Sequence, residues 1–301
     1  MSLSNWNHNF EDIDGIKIHY VREGEGPPLV LLHGWPEFCY VWHKIIPGLS
    51  SSFDVIAPDL RGFGKSEKPD LPAVEGYTLD SHLADLAGLL ESLDIDRVGF
   101  VSHDIGAMLA HLFARRYPDR VAGLFFFNIP YAGIGARQLA PENMNEIWYQ
   151  GFHQQSWAAE LIGSSRQTAR IYFKNMLAHW AQDPDVFDDD LEVWVDNFLE
   201  PGNLQGGFNW YSAVYPLRVA MMKGEAPLVP AIDTPTCVRW GENEPFMKVE
   251  YADRLGDYFT NLDFKSVPDA GHFVHYQKPA FAEREIRAFF NSIFGRRAAK
   301  V

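Results

Sequence analysis

The sequence predicts an α/β fold, with a mostly parallel central sheet flanked by helices and one inserted all-helical cap. Three observations carry this. Apolar strand-like runs alternate with helical patterns from residue 28 to residue 128. Runs such as "PPLVLLHG" (27–34) are apolar throughout, as expected of parallel strands buried on both faces. The alternation then stops for about 95 residues after Pro130, and strand signals return only at 234.

The elements follow in order. "FEDIDGIKIHYVREG" (10–24) reads as a hairpin, with an Asp14-Gly15 turn and Ile16, Ile18 and Tyr20 alternating with Lys17 and His19. "PPLVLLHG" is the first buried strand. A helix is expected over 40–50, a strand in "FDVIAPD" (53–59), a helix over 78–93, a strand in "RVGFVSH" (97–103), a helix over 105–117 and a strand in "VAGLFFFN" (121–128). Alternation of this kind builds a sheet with helices on both faces. Amphipathic helices are expected near 142–161, 164–181, 186–199 and 208–222. Strands follow in "TPTCVRWG" (234–241) and "LDFKSVP" (262–268), then a closing helix at 279–294. The organisation is therefore core over 1–130, cap over 131–225 and core again over 226–301. Such a cap belongs over the C-terminal strand edge, where open α/β sheets bind ligands.

Composition narrows the function classes. Lys and Arg total 26 against 40 Asp and Glu, a formal net charge of −14, so nucleic acid and anionic membrane surfaces are not expected partners. The N-terminal "MSLSNWNHNF" shows no signal-peptide pattern, and no apolar run reaches the ~18 residues of a membrane span. Two cysteines, Cys39 and Cys237, give no disulfide framework, which fits a cytoplasmic setting. Between Lys174 and Arg218 there is no Lys or Arg while acidic residues accumulate, a pattern expected of a solvated helix face.

Chemistry concentrates at the ends of the buried strands. "SHDIGA" (102–107) has the form small–x–nucleophile–x–small between a strand and a helix, with Asp104 at its tip. His272 lies in "DAGHFVHYQKP", after the last strand, and Glu244 in "GENEP", after the strand before it. The chain order is nucleophile, acid, histidine. Backbone amides of Trp35, in "HGWP" (33–36), and of Ile105 are placed to form an oxyanion hole. His275 is read as structural, and Asn128 as a strand-end cap, because an amide cannot balance imidazolium charge.

Through "HGWPE" (33–37), "DLRGFGKSEKP" (59–69), "SHDIGA" and "GHF" (271–273), the chain resembles the α/β-hydrolase superfamily over nearly its whole length. The Asp at the turn resembles the epoxide hydrolase and dehalogenase branch. An ionised carboxylate needs no base to attack an sp³ carbon, so the resemblance implies an alkyl-enzyme ester on Asp104. His272, oriented by Glu244, then activates the water that hydrolyses it. No cofactor and no metal are implied.

The leaving group separates the branches. Haloalkane dehalogenases typically carry Trp after the nucleophile, where this chain has Ile105, and Asn in the oxyanion motif, where it has Trp35. Haloacetate dehalogenases carry an Arg after the Asp, which is absent here. An opening epoxide needs a neutral acid, and "GGFNWYSAVYP" (206–216) resembles the epoxide hydrolase cap motif that presents a tyrosine, here Tyr211. The second is expected in "EIWYQGFHQ" (146–154) as Tyr149, with Gln150 one register away. Phe38, Trp148 and Trp210 are expected to line the substrate pocket. The expected activity is hydrolysis of a small hydrophobic epoxide by water; a homodimer is compatible with it. The alternatives are a haloalkane or haloacid dehalogenase with the same nucleophile and, from another class, a non-catalytic ligand receptor, which would have no use for Asp104, Glu244 and His272 together.

Overall fold

The structure is a computed structural model that describes residues 6–225 and 229–298. The start of the N-terminal stretch and residues 226–228, at the expected second core boundary, lie outside the described residues. Eight strands form one sheet: β1 His8–Ile13, β2 Ile16–Glu23, β3 Pro28–Leu32, β4 Asp54–Pro58, β5 Val98–His103, β6 Val121–Phe127, β7 Thr236–Gly241 and β8 Leu262–Val267. Their spatial order is β1-β2-β4-β3-β5-β6-β7-β8. β1 and β2 pair antiparallel, as do β2 and β4; all other neighbours are parallel. The hairpin turn is where the sequence puts it, with Asp14 and Gly15 both at positive φ. β5 and β6 are buried at every position, as their unbroken apolar runs require.

The helices are α1 Ile46–Leu49, α2 Ala73–Gly76, α3 Leu79–Ser92, α4 Asp104–Arg116, α5 Met144–Phe152, α6 Ala158–Gly163, α7 Arg166–Ala181, α8 Leu191–Leu199, α9 Asn203–Met222, α10 Val274–Gln277 and α11 Pro279–Ala298. Thr78 caps α3 by accepting from the Ser81 N–H, and Ser165 caps α7 through the Thr168 N–H. The expected helix over 40–50 is a 3₁₀ turn, Cys39–Trp42, followed by the single turn of α1, with Pro47 at its start and Gly48 inside it. The helix expected over 142–161 is two, α5 and α6, separated by the turn at 153–157. α9 begins five residues before the expected 208, because Gly202, at positive φ, starts it and "GG" is accommodated inside.

Between β6 and β7 the described residues form α5 to α9 together with two 3₁₀ segments, Ala132–Leu139 and Pro141–Asn143, and one isolated bridge from Ile232 to Phe259. This insert is seated on the core at glycine. A Cβ at Gly206 in α9 would fall 2.2 Å from the Gly62 carbonyl oxygen, so helix and core loop meet at backbone distance only without a side chain. A second seat is polar: the His272 N–H donates to the Trp180 carbonyl at 2.8 Å, and Gln277 Nε2 to the Ala181 carbonyl at 2.9 Å. Both cysteines are free and buried. Among the described residues no helix is long and apolar enough to cross a membrane.

Candidate active site

β5 ends at His103 and α4 starts at Asp104, whose φ of 46° lies in the left-handed region that non-glycine residues avoid. That sharp turn lifts the carboxyl above the strand edge. The "HGWP" loop closes over it so tightly that a Cβ at Gly34 would sit 2.6 Å from Asp104 Cβ. The Trp35 N–H donates to Asp104 Oδ2 at 3.1 Å. Oδ1 has no hydrogen-bond partner among the described residues. Ile105 is buried in the first turn of α4, where backbone N–H groups lack intrahelical partners. Burial pushes the Asp104 pKa above the ordinary carboxylate value, while His272, His103 and the Trp35 N–H pull it back.

His272 follows β8 on the loop before α10 and is fully buried. Its Nδ1 lies 2.5 Å from Glu244 Oε2, and its Nε2 has no partner among the described residues. Nδ1 therefore carries the proton shared with the carboxylate, which leaves Nε2 as the basic nitrogen in the neutral ring. Burial pulls the His272 pKa down most strongly of any single influence. The charge and hydrogen bond of Glu244 and the charge of Asp104 outweigh it, and the net shift is upward. Glu244 Oε1 accepts from the Phe246 and Met247 N–H groups at 3.1 and 3.3 Å, which fixes the carboxylate plane.

A buried polar layer lies beneath these groups. His103 faces Glu37 Oε2 through Nδ1 at 2.9 Å and the His272 carbonyl through Nε2 at 2.9 Å. His103 thus bridges a buried carboxylate and a backbone carbonyl. Glu37 Oε2 also accepts from the Gly34 N–H at 2.5 Å. Burial would raise the Glu37 carboxyl, but His103 and His275 hold it well below its usual value. The Asp104 turn, the "HGWP" loop and the His272 loop are thus tied at one carboxylate. Asn128 Nδ2 donates to Glu244 Oε2 at 2.7 Å and reaches the Gly271 and His272 carbonyls at 3.1 Å, while its Oδ1 accepts from the Gly241 N–H at 2.9 Å.

Asp104 opens on a cavity of about 350 Å³ under the helical insert, walled by Ile105, Tyr149, Trp210, Tyr211 and Phe246 among others. Tyr149 comes from α5 and Tyr211 from α9; their rings meet edge to face with centroids 5.6 Å apart, and Trp35 stacks on Tyr149 at 5.6 Å. Gln150 Nε2 donates to the Tyr149 hydroxyl at 2.9 Å. Because that oxygen already accepts, its own proton is free to be given to another group. The Tyr211 hydroxyl has no hydrogen-bond partner among the described residues. Burial and nearby negative charge, including Asp104, raise both phenol pKa values, so both stay protonated at neutral pH.

Residues 27–279 match the α/β-hydrolase fold family. A soluble epoxide hydrolase of a Corynebacterium species is 32% identical over 94% of this chain and 96% of its own length. Human epoxide hydrolase 4 is 30% identical over 91% of this chain and 76% of its own length. The solved structure of the epoxide hydrolase CorEH without ligand superposes with a TM-score of 0.81 at 28% identity, covering 95% of this chain and 99% of that one. The chain belongs to the epoxide hydrolase branch of the α/β-hydrolase fold.

Within this epoxide hydrolase family member, Asp104, Glu244, His272, Tyr149 and Tyr211, read from sequence, come together around one cavity and its floor. Trp210 lies on the cavity wall. Two expected pocket residues do not. Phe38 packs edge-on against Trp194 and borders a separate depression beside Asp59 and Lys65. Trp148 is 51% exposed, because consecutive helix residues point about 100° apart and Tyr149 takes the inward direction. His275 is buried against Trp42, its pKa pushed down to about 4 by burial, and it approaches Glu37 at 3.3 Å. Glu37, His103 and the contacts of Asn128 to Glu244 and the His272 loop were not anticipated. Their signal was present: charged or amide side chains inside otherwise buried stretches need partners.

Proposed function

We propose that this hydrolase opens epoxides to vicinal diols through a covalent ester on Asp104. Oδ1 attacks one epoxide carbon from the side opposite the ring oxygen; the C–O bond breaks and the oxygen takes a proton from Tyr149 or Tyr211. His272 Nε2 then removes a proton from water, and the resulting hydroxide attacks the carboxyl carbon of Asp104. Negative charge develops on Oδ2, stabilised by the Trp35 and Ile105 N–H groups. Collapse expels the alkoxide, which takes the proton of the newly formed Asp104 carboxyl to give the diol and restore the carboxylate, and the proton on His272 returns to the tyrosinate. The sum is epoxide plus water to diol, with no cofactor in the balance.

The observation that carries this reading is the pair of protonated phenols opposite an ionisable carboxylate, with the Tyr149 oxygen already accepting from Gln150. A halide leaves as a stable anion and needs no proton, whereas an opening epoxide does, and two protonated hydroxyls answer that need. The experiment compares styrene oxide with bromohexane and measures diol and bromide. Diol formation should dominate; bromide release exceeding diol formation across several small substrates would transfer the assignment to a dehalogenase.

A further inference from the structure

The inner face of α9 is an apolar stripe. Leu204, Phe208, Tyr211 and Val214 are all buried, at the three- and four-residue spacing of one helix face. The next position on that stripe is 218, four residues after Val214 and seven after Tyr211. Arg218 occupies it. The arginine is part-buried and lines the same cavity as Asp104. It makes no hydrogen bond or salt bridge among the described residues. Of the other lining side chains that titrate near neutrality, His111 is held neutral, its pKa pushed down to about 3 by burial, and Asp104 is the one carboxylate among the described lining residues. Arginine in a cavity wall is ordinarily paired. Here a guanidinium with five N–H donors belongs to a lining that is mostly aliphatic and aromatic, in which Asp104, His111, Gln138 and Gln150 are the other strongly polar side chains.

We propose that Arg218 is an anion-binding subsite, and that the substrates this enzyme prefers carry a carboxylate at the end remote from the epoxide. The inference rests on the epoxide reading of the Asp104 end and deepens it. A guanidinium fork matches a carboxylate in two parallel hydrogen bonds. Helical geometry separates the Tyr211 and Arg218 Cα atoms by about 10 Å along the axis. Helix side chains lean toward the N-terminus, which brings the guanidinium back toward Tyr211 and leaves room for a linker of about one aromatic ring. The arginine also answers an electrostatic difficulty. A chain of net charge −14 with Asp104 at the cavity floor repels an anionic ligand, and a desolvated cation inside the cavity offsets that locally. Burial lowers the Arg218 pKa somewhat, and the neighbouring phenols raise it, so the side chain remains cationic at neutral pH.

The test compares the glycidyl ether of para-hydroxybenzoate with that of its methyl ester, using the full chain and an Arg218→Met variant. The quantity read is the acid-to-ester ratio of kcat/KM. In the wild type it should be about tenfold to a hundredfold in favour of the acid, expressed in KM, as for a hydrogen bond to a charged group. In Arg218→Met it should collapse toward unity, and in Arg218→Lys it should fall to an intermediate value. A wild-type ratio near one overturns the proposal. So does a variant that loses activity on acid and ester alike, the result expected if Arg218 only tunes the tyrosines or holds the cap. Calorimetric binding of para-propoxybenzoate and para-propoxybenzamide reads the subsite without turnover. The benzoate should bind more tightly to wild type and lose that margin in Arg218→Met. Anion-selective binding with no epoxide opened would retire the epoxide reading and leave the subsite standing. Epoxide turnover without anion selectivity would do the reverse.

Discussion

Replacing His272 with Gln should stop the reaction half-way. Gln is close in length to His, and its amide can donate to Glu244 Oε2 in place of Nδ1, so the buried carboxylate keeps a partner. Glu244 also retains Asn128 Nδ2 and the Phe246 and Met247 N–H groups. The fold should therefore survive. Two rates change by different amounts. Alkylation needs an ionised Asp104 and a phenol proton, and His272 supplies neither. Loss of the nearby imidazolium raises the Asp104 pKa further. A tenfold drop in the ionised fraction is worth about 1.4 kcal/mol, and alkylation at neutral pH slows by up to about that factor. Hydrolysis loses its general base, which contributes about 10²–10⁴ in rate. The second loss exceeds the first, and the ester accumulates. Intact-mass spectrometry after incubation with styrene oxide should show the protein heavier by the whole mass of the epoxide, since no atom leaves. A haloalkane adduct would be lighter than its substrate by one hydrogen halide. Proteolysis should place the mass on the peptide containing Asp104. Turnover at the wild-type rate, or no adduct from an epoxide that the wild type hydrolyses, would refute the division of labour.

The remaining predictions concern the acid, the cap and the pH profile. Tyr211→Phe and Tyr149→Phe should each lower epoxide turnover, the more important phenol by about 10²–10³, while thermal melts stay near wild type; an unchanged kcat in both variants would remove the phenols from the mechanism. Gly206→Val should place a side chain against the Gly62 carbonyl, cost about 1–3 kcal/mol in denaturant unfolding and lower kcat by lifting α9; wild-type activity would show that α9 is not seated there. Single-turnover alkylation should rise with pH as Asp104 ionises, with a midpoint above the ordinary carboxylate range, because the Asp104 pKa is raised. Ester hydrolysis should rise as His272 loses its proton, and a rate that falls with increasing pH there would contradict its role as base.

Strand-end chemistry was legible because it is local. A turn tip, a loop after a strand and a run of buried residues each announce themselves within about ten residues, and parallel topology then gathers all the strand C-termini at one edge. Side-chain direction was less legible. "IWYQ" offers two aromatics in succession, and only the helical rotation of α5 sends Tyr149 inward and Trp148 into solvent. Phe38 follows the oxyanion loop in sequence, yet its extended backbone at φ −155° takes the ring toward Trp194. The Asn128 contacts depend on β6 and β7 being neighbours, which brings residue 128 beside Gly241 and the Glu244 loop. Strand order is a long-range property that no window of sequence contains.

In the proposed reaction, the electrostatics of the buried pair would also let one cavity run two steps of opposite demand. In the free protein Asp104 and His272 support each other's charge: the histidine lowers the carboxyl pKa, and the carboxylate raises the imidazole pKa. Burial opposes both ionised forms, so neither charge persists well alone. The proposed alkylation would turn Asp104 into a neutral ester and withdraw its contribution at His272. The histidine then keeps Glu244 as its partner but faces burial with one less counter-charge, and its affinity for a proton falls. The neutral form that can take a proton from water becomes more populated as soon as there is an ester to hydrolyse. The N–H of Trp35, which positions Oδ2 in the resting state, meets the same oxygen when it becomes an oxyanion. On this proposal the groups that prepare attack by the carboxylate are already in place for attack upon it, and the product of the first step would switch the second on.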